Sequence, residues 1–166
     1  MYTLRTARPE EAGRAMSLIE QAQAHLREQG VDQWQDGYPD LACIQGDLAA
    51  GRGYFLAEGD DTLGYLCLDF GGEPAYDTLE GTWARQAPYG VIHRMAMDAS
   101  HRGKGLAHIA FDLAEELCRA RGVHYMRIDT DEGNRKIQHI IRSHGFTCRG
   151  TVWFQNSTKI AFDKEF

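Results

Sequence analysis

Apolar and polar positions alternate from Tyr2 to Thr6, and the period then changes. Ala15, Leu18, Ile19, Ala22 and Leu26 recur every three or four residues, the spacing of one buried helix face. The chain therefore opens as a strand followed by a helix. Arg8-Pro9-Glu10-Glu11 begins that helix. Proline fits the first turn because its missing N–H needs no partner there, and acids meet the positive end of the helix dipole. Gln29 to Asp40 reads as a loop, and Leu41–Ala50 as a short second helix. Tyr54–Glu58 and Thr62–Phe70 are the arms of a predicted hairpin turned at Gly59-Asp60-Asp61. Gly71–Gly90, rich in glycine and aromatics, follows no period and predicts a loop or a short helical insertion.

The second half is more regular. Val91 to Asp98 is an extended apolar run, and residues 105–121 form an amphipathic helix stopped by Gly122. A strand Tyr125–Asp131 follows, then a helix Asn134–Ser143 and a turn at His144-Gly145. Phe146–Trp153 and Lys159–Phe166 close the chain as two antiparallel strands. This mixed order predicts an α+β or α/β fold around one central sheet. Residues 1–166 read as a single domain, long enough for a core without metal or disulfide staples.

Composition narrows the partners. A formal net charge of −6 disfavours nucleic acid, which needs a basic face. No apolar run approaches a membrane span, and Met1-Tyr2-Thr3-Leu4-Arg5 lacks the apolar core of a signal peptide, so the expected location is cytoplasmic and off the membrane. Cys43, Cys67, Cys118 and Cys148 form no CxxC pair and lie in apolar neighbourhoods, which predicts buried free thiols. His25, His101, His108, His124 and His139 show no metal-ligand spacing. Against the acidic background, the window from His101 to His108 carries Arg102 and Lys104 and no acid. That island lies in a glycine-bearing turn between a strand and a helix. Free N–H groups and the helix dipole converge there, an arrangement suited to a small phosphorylated ligand.

Three phosphate turns compete for this segment. A P-loop needs GxxxxGK followed by Ser or Thr, but Gly105 follows Lys104 and position 98 is aspartate. A dinucleotide turn needs GxGxxG, and Gly103-Lys104-Gly105-Leu106-Ala107-His108 lacks the third glycine. Asp129 does end the next strand where a ribose-binding acid is expected, so a Rossmann-type nucleotide module stays as an alternative, although little chain remains beyond it. The third pattern fits best. Arg102-x-x-Gly105-x-Ala107 resembles the acyl-CoA pyrophosphate loop of the GNAT superfamily of N-acetyltransferases. Leu4-Arg5-Thr6-Ala7-Arg8-Pro9-Glu10-Glu11-Ala12 resembles that family's opening strand and helix start. Asn134, with Gly145-Phe146 eleven and twelve residues later, resembles its second signature.

The resemblance implies a GNAT fold: a mixed, mostly antiparallel central sheet with helices on both faces, splayed between strands 91–98 and 125–131. It also implies an acetyl-CoA-dependent N-acetyltransferase in which a primary amine attacks the thioester directly, without a metal. The CoA pyrophosphate would rest on Arg102, Gly103, Lys104, Gly105, Leu106, Ala107 and His108. The backbone of Met95, Ala96 and Met97 would pair with the pantetheine arm as an added strand, and one of its N–H groups could hold the thioester oxygen. Asn134, a helix N-cap by position, would also meet the cofactor arm.

An amine with pKa near ~10.4 must lose a proton before it attacks. Asp129 stands where some family members carry a catalytic glutamate, and His93 on the preceding strand is a second candidate base. Where many members carry a proton-donating tyrosine, seven residues beyond Asn134, this chain has Ile141. Ser143 and His144 do not reproduce the tyrosine's direction, so no general acid is assigned, and a non-catalytic acyl-CoA-binding sensor remains an alternative. The acceptor, a small-molecule or peptide amine, is expected among the aromatic loops bearing Trp34, Tyr38, Tyr76, Trp83 and Tyr89. Asp32, Asp36, Asp40, Glu73 and Asp77 would favour a cation there, and the C-terminal strands are a candidate homodimer surface.

Overall fold

The computed structural model describes residues 1–166. Along the chain the elements are β1 (Tyr2–Thr6), α1 (Ala12–Glu28), α2 (Leu41–Ala49), β2 (Gly53–Glu58), β3 (Asp61–Asp69) and β4 (Glu80–Gly81). They continue with β5 (Gly90–Met97), α3 (Leu106–Ala120), β6 (Tyr125–Asp131), α4 (Arg135–Ser143), β7 (Thr147–Phe154) and β8 (Ser157–Glu165). The result is a mixed, mostly antiparallel sheet flanked by helices, as the family resemblance implies. Contacts gather the chain into two units: residues 1–68 with 92–114, and residues 69–91 with 115–166.

In the first unit the strands are ordered β1-β2-β3-β5. β1 pairs with β2 antiparallel from Tyr2↔Glu58 to Thr6↔Tyr54, and β2 with β3 through the turn at Gly59-Asp60. The helical face read from the sequence is the one that packs. Ala15, Leu18 and Ile19 are fully buried against Ile44, Leu48, Phe55, Tyr65 and Ala96, with Ala22 at the edge. Each buried aliphatic side chain of this size contributes about 1.5–3 kcal/mol, so this face rather than helix propensity holds α1 in place. α2 starts at Asp40, whose carboxylate accepts the Cys43 N–H at 2.9 Å.

In the second unit the order is β5-β6-β8-β7-β4. The parallel register of β5 with β6 comprises Gly90↔Met126 and Val91↔Arg127 and ends there. β6 pairs with β8 along its whole length, and β8 with β7. The segment 71–90, expected as loop or short helix, holds a single 3₁₀ turn at Pro74–Thr78 and also the short strand β4, which pairs Glu80↔Thr151 and Gly81↔Gly150.

Polar groups dock this insertion. Asp163, 1% exposed, accepts hydrogen bonds from the Tyr125 hydroxyl at 2.6 Å, Arg149 Nε at 2.7 Å and the Ala84 N–H at 2.9 Å. Arg127 lies 4.3 Å from the ring centres of both Trp83 and Tyr89 and donates to the Arg85 carbonyl at 2.7 Å. The final strands reach further toward each other than their apolar pattern shows, meeting at a two-residue turn, Gln155-Asn156, with φ of 53° and 60°. Paired left-handed residues match the twist of a tight hairpin, so no longer loop is needed.

The cysteine expectation needs correction. Cys67 and Cys118 are buried, and burial pushes both thiols up to about 12. Cys43 is only half-buried, and Cys148 is exposed because it lies on β7 with its side chain away from the core. No helix is long and apolar enough to cross a membrane.

Candidate functional site

The segment singled out by its glycines is built as a strand, a braced loop and a helix within the first unit. After β5, Asp98 accepts the Ser100 N–H at 3.0 Å and starts one 3₁₀ turn at Ala99–His101. The Ser100 hydroxyl, the Ser100 amide, His101 and Arg14 hold the Asp98 carboxyl well below the usual carboxylate range, against the opposing effect of burial. α1 braces the same loop. Ala99 N–H donates to Gln21 Oε1 at 2.7 Å, and Arg102 Nη2 donates to the Gln21 carbonyl at 3.1 Å. The Arg102 guanidinium is therefore anchored on α1, and Lys104 remains exposed on the loop.

Gly103 and Gly105 have φ of 78° and 72°, a left-handed conformation that glycine adopts freely. No other atom lies within 4 Å of where a Cβ would stand at either one, so the backbone is open on that side. α3 begins at the next residue, Leu106, and the N–H groups of a first helical turn have no partner within the helix. Open left-handed backbone, first-turn N–H groups through His108 and an exposed lysine suit a phosphate-bearing anion.

The strand leading into this loop is distorted. Arg94 has φ of 53°, left-handed in the middle of β5. Ala96 is buried, and Met95, Met97 and His93 are half-buried. β3 approaches closely here, because a Cβ on Gly64 would collide with Met97 Sδ and stand 3.0 Å from the Ala96 carbonyl. The Arg94 guanidinium grips Asp47 of α2 with two bonds, Nε to Oδ2 at 2.7 Å and Nη2 to Oδ1 at 2.6 Å. Neither residue was among the candidates read from the sequence. The available signal was Asp47, three residues after Ile44, a charge on an apolar helical face.

A separate constellation lies in the second unit. Asp129, near the end of β6, accepts the Tyr76 hydroxyl at 2.6 Å. Burial raises its carboxyl from 3.8 to about 6, opposed by the Tyr76 bond and Lys159 and reinforced by Glu73. Lys159, 4% exposed, also reaches Asp131 at 3.5 Å. Asn134 caps α4, its Oδ1 accepting the Ile137 N–H at 3.3 Å. Ile141 is fully buried, and the Ser143 hydroxyl donates to the Ile140 carbonyl of its own helix at 2.9 Å.

The aromatic candidates divide. Trp34 packs partly against the core, and the Tyr38 hydroxyl accepts Arg94 Nη1 at 2.8 Å. Tyr76 and Trp83, expected to line the acceptor site, pack into the core. They are 1% and 8% exposed, stack with each other, and lie in the core with Val91, Val152 and Ala161. Trp83 Nε1 donates to the Tyr76 carbonyl at 3.0 Å. Two of the acids also serve the backbone: Asp40 caps α2, and Glu73 accepts the Ala75 N–H at 3.2 Å.

The sequence model of the acetyltransferase (GNAT) family matches residues 16–146. A comparison with curated protein sequences gives no significant match. Among solved structures, an acetyltransferase of the GNAT family from Streptococcus agalactiae 2603 is 32% identical with a TM-score of 0.90, covering 99% of this chain and 95% of that one. One from Listeria monocytogenes 4b F2365 is 21% identical with a TM-score of 0.78, over 99% and 95%. AAC(6')-Ib in complex with ribostamycin and coenzyme A is 19% identical with a TM-score of 0.72, over 99% and 93%. At those last two identities the likeness is one of fold.

Proposed function

From membership of the acetyltransferase (GNAT) family, to which this chain belongs, we propose that it is an N-acetyltransferase moving an acetyl group from acetyl-CoA to a primary amine. The observation that carries the reading is the open backbone of Gly103 and Gly105 at the start of α3, braced by Arg102 on α1. The N–H groups from Gly103 to His108, with Lys104, would hold the CoA pyrophosphate, and the backbone of Met95–Met97 would take the pantetheine arm. Acetyl-CoA supplies, when bound, an acetyl group activated as a thioester. An N–H of β5 is the donor for the acyl oxygen as negative charge builds on it.

Asp129 is the favoured base. A carboxylate with pKa about 6 is mostly ionised at neutral pH and accepts a proton more readily than an ordinary aspartate. The Tyr76 hydroxyl, donating to Oδ2, would orient it. His93 remains the second candidate, and a lysine-like acceptor is favoured by the exposed Asp32, Asp36 and Asp77. Asn134 is assigned to cap α4 and to meet the cofactor arm. One observation favours a second reading, an acyl-CoA sensor without catalysis. Ile141 is buried and cannot donate a proton where the family's tyrosine would stand.

Calorimetry with acetyl-CoA, NAD and ATP, followed by a thiol-release assay over an amine panel that includes ribostamycin, tests both. Binding of acetyl-CoA alone with CoA release on at least one amine supports the transferase. Binding with no release on any amine supports the sensor, and binding of NAD or ATP without acetyl-CoA overturns both.

A further inference from the structure

Arg94 is an unusual residue to find with φ of 53° inside a strand. Glycine takes that conformation freely, whereas an L side chain is strained there, so a side chain kept at this place needs its own anchorage. The anchor is Asp47, 1% exposed, which accepts Arg94 Nε and Nη2 at 2.7 and 2.6 Å and the Tyr65 hydroxyl at 2.9 Å. The third guanidinium nitrogen donates to the Tyr38 hydroxyl at 2.8 Å, tying the loop between α1 and α2 to the same point. A two-bond fork fixes the guanidinium's orientation as well as its distance.

The location matters. The register of β5 with β6 ends at Val91, and a left-handed residue at Arg94 turns the peptides that follow, as a bulge does. Those peptides belong to Met95, Ala96 and Met97, the backbone that the proposed function uses. We propose that Asp47 and Arg94 are positioning residues for acyl transfer, their ion pair holding β5 in the left-handed turn that aims the Met95–Met97 backbone at the acyl thioester. The proposal rests on the acetyl-CoA reading above. Loss of an ion pair that serves stability alone would lower the melting temperature without distinguishing an acylated from a free cofactor.

The test compares acetyl-CoA with CoA in calorimetry on the full chain, since CoA lacks only the acyl group. Asp47→Asn combined with Arg94→Gln removes both charges and keeps a neutral hydrogen-bonded pair; Asp47→Asn alone leaves the Arg94 charge without its carboxylate, whereas in Arg94→Gln alone Asp47 keeps Arg52 at 3.6 Å. Arg94→Lys, which keeps the charge and one bond, is the conservative variant. The double variant is expected to lose about three- to tenfold in acetyl-CoA affinity, with CoA affinity changed less than about twofold. Faster amide exchange at Met95–Met97 accompanies that loss, and Arg94→Lys restores part of it. An unchanged affinity ratio in the folded double variant, or an Arg94→Lys variant no better than the double one, refutes the positioning role. Failure of the unmodified chain to bind acetyl-CoA refutes instead the donor reading beneath it, so the two failures are distinguishable.

Discussion

Asparagine in place of Asp129 keeps the shape of the side chain and an oxygen for the Tyr76 hydroxyl, but removes the charge. Burial raises the Asp129 carboxyl from 3.8 to about 6, so the folded protein binds that proton more tightly than the unfolded chain does. The sign follows from linkage. The stability that Asp129 contributes is fully present below pH 3.8 and is lost as the pH rises through about 6. Above that range the buried carboxylate works against the fold. Two pH units at about 1.4 kcal/mol each give roughly 3 kcal/mol.

The Asp129→Asn variant escapes this penalty, less whatever its amide loses facing Lys159. It is expected to exceed the parent in stability by about 1–3 kcal/mol at pH 8, and to match it near pH 4. For a chain of this size, 3 kcal/mol corresponds to about 6–12 °C in melting temperature. Urea titrations of both proteins at pH 4, 6 and 8 read the difference directly. A difference that is the same at all three pH values, or a variant less stable at pH 8, would show that the carboxylate carries no burial penalty. The same substitution should abolish the pH dependence of acyl transfer near pH 6 if Asp129 is the base. Turnover that depended on a group destabilising the fold at neutral pH would place that group for chemistry.

Two further substitutions separate backbone roles from side-chain roles. Gly105→Ala adds a Cβ into open space, so its stability cost is only that of φ at 72°, about 1 kcal/mol. On the proposed function its acetyl-CoA affinity should nonetheless fall at least about tenfold, because a methyl group would crowd the open backbone whose N–H groups are to hold the pyrophosphate; unchanged calorimetry would remove the loop from the site. Asn134→Ala should lower stability by about 1 kcal/mol through loss of the α4 cap, whereas Asn134→Asp keeps the cap oxygen and should not. Weakened acetyl-CoA binding in both variants would assign the side chain to the cofactor, and weakening in the alanine variant alone would assign it to the helix.

What the sequence makes legible here is local. Helical spacing from Ala15 to Leu26 marks the face that packs against Ile44 and Phe55, because burial selects residues at the helix's own period. Gly103 and Gly105 are visible because their φ values exclude most other residues, so a site made of backbone announces itself in composition. The insertion at 71–90 is not visible in this way. Tyr76, Trp83 and Tyr89 have no period, and they meet residues far along the chain, Tyr76 at Asp129 and the other two at Arg127.

The same reasoning explains which pairings of the candidate site the sequence does not show. Asp129 depends on a hydroxyl 53 residues away, and Arg94 on a carboxylate 47 residues away. No local pattern encodes either pair. Arg94 is the harder case, because its left-handed backbone occupies a strand position where the apolar alternation predicts ordinary extension. Glycine there would have advertised the turn and left it unclamped. Arginine conceals the turn in the sequence while supplying the bonds to Asp47 that define it, so the distortion of β5 becomes visible only where α2 and β5 are seen together.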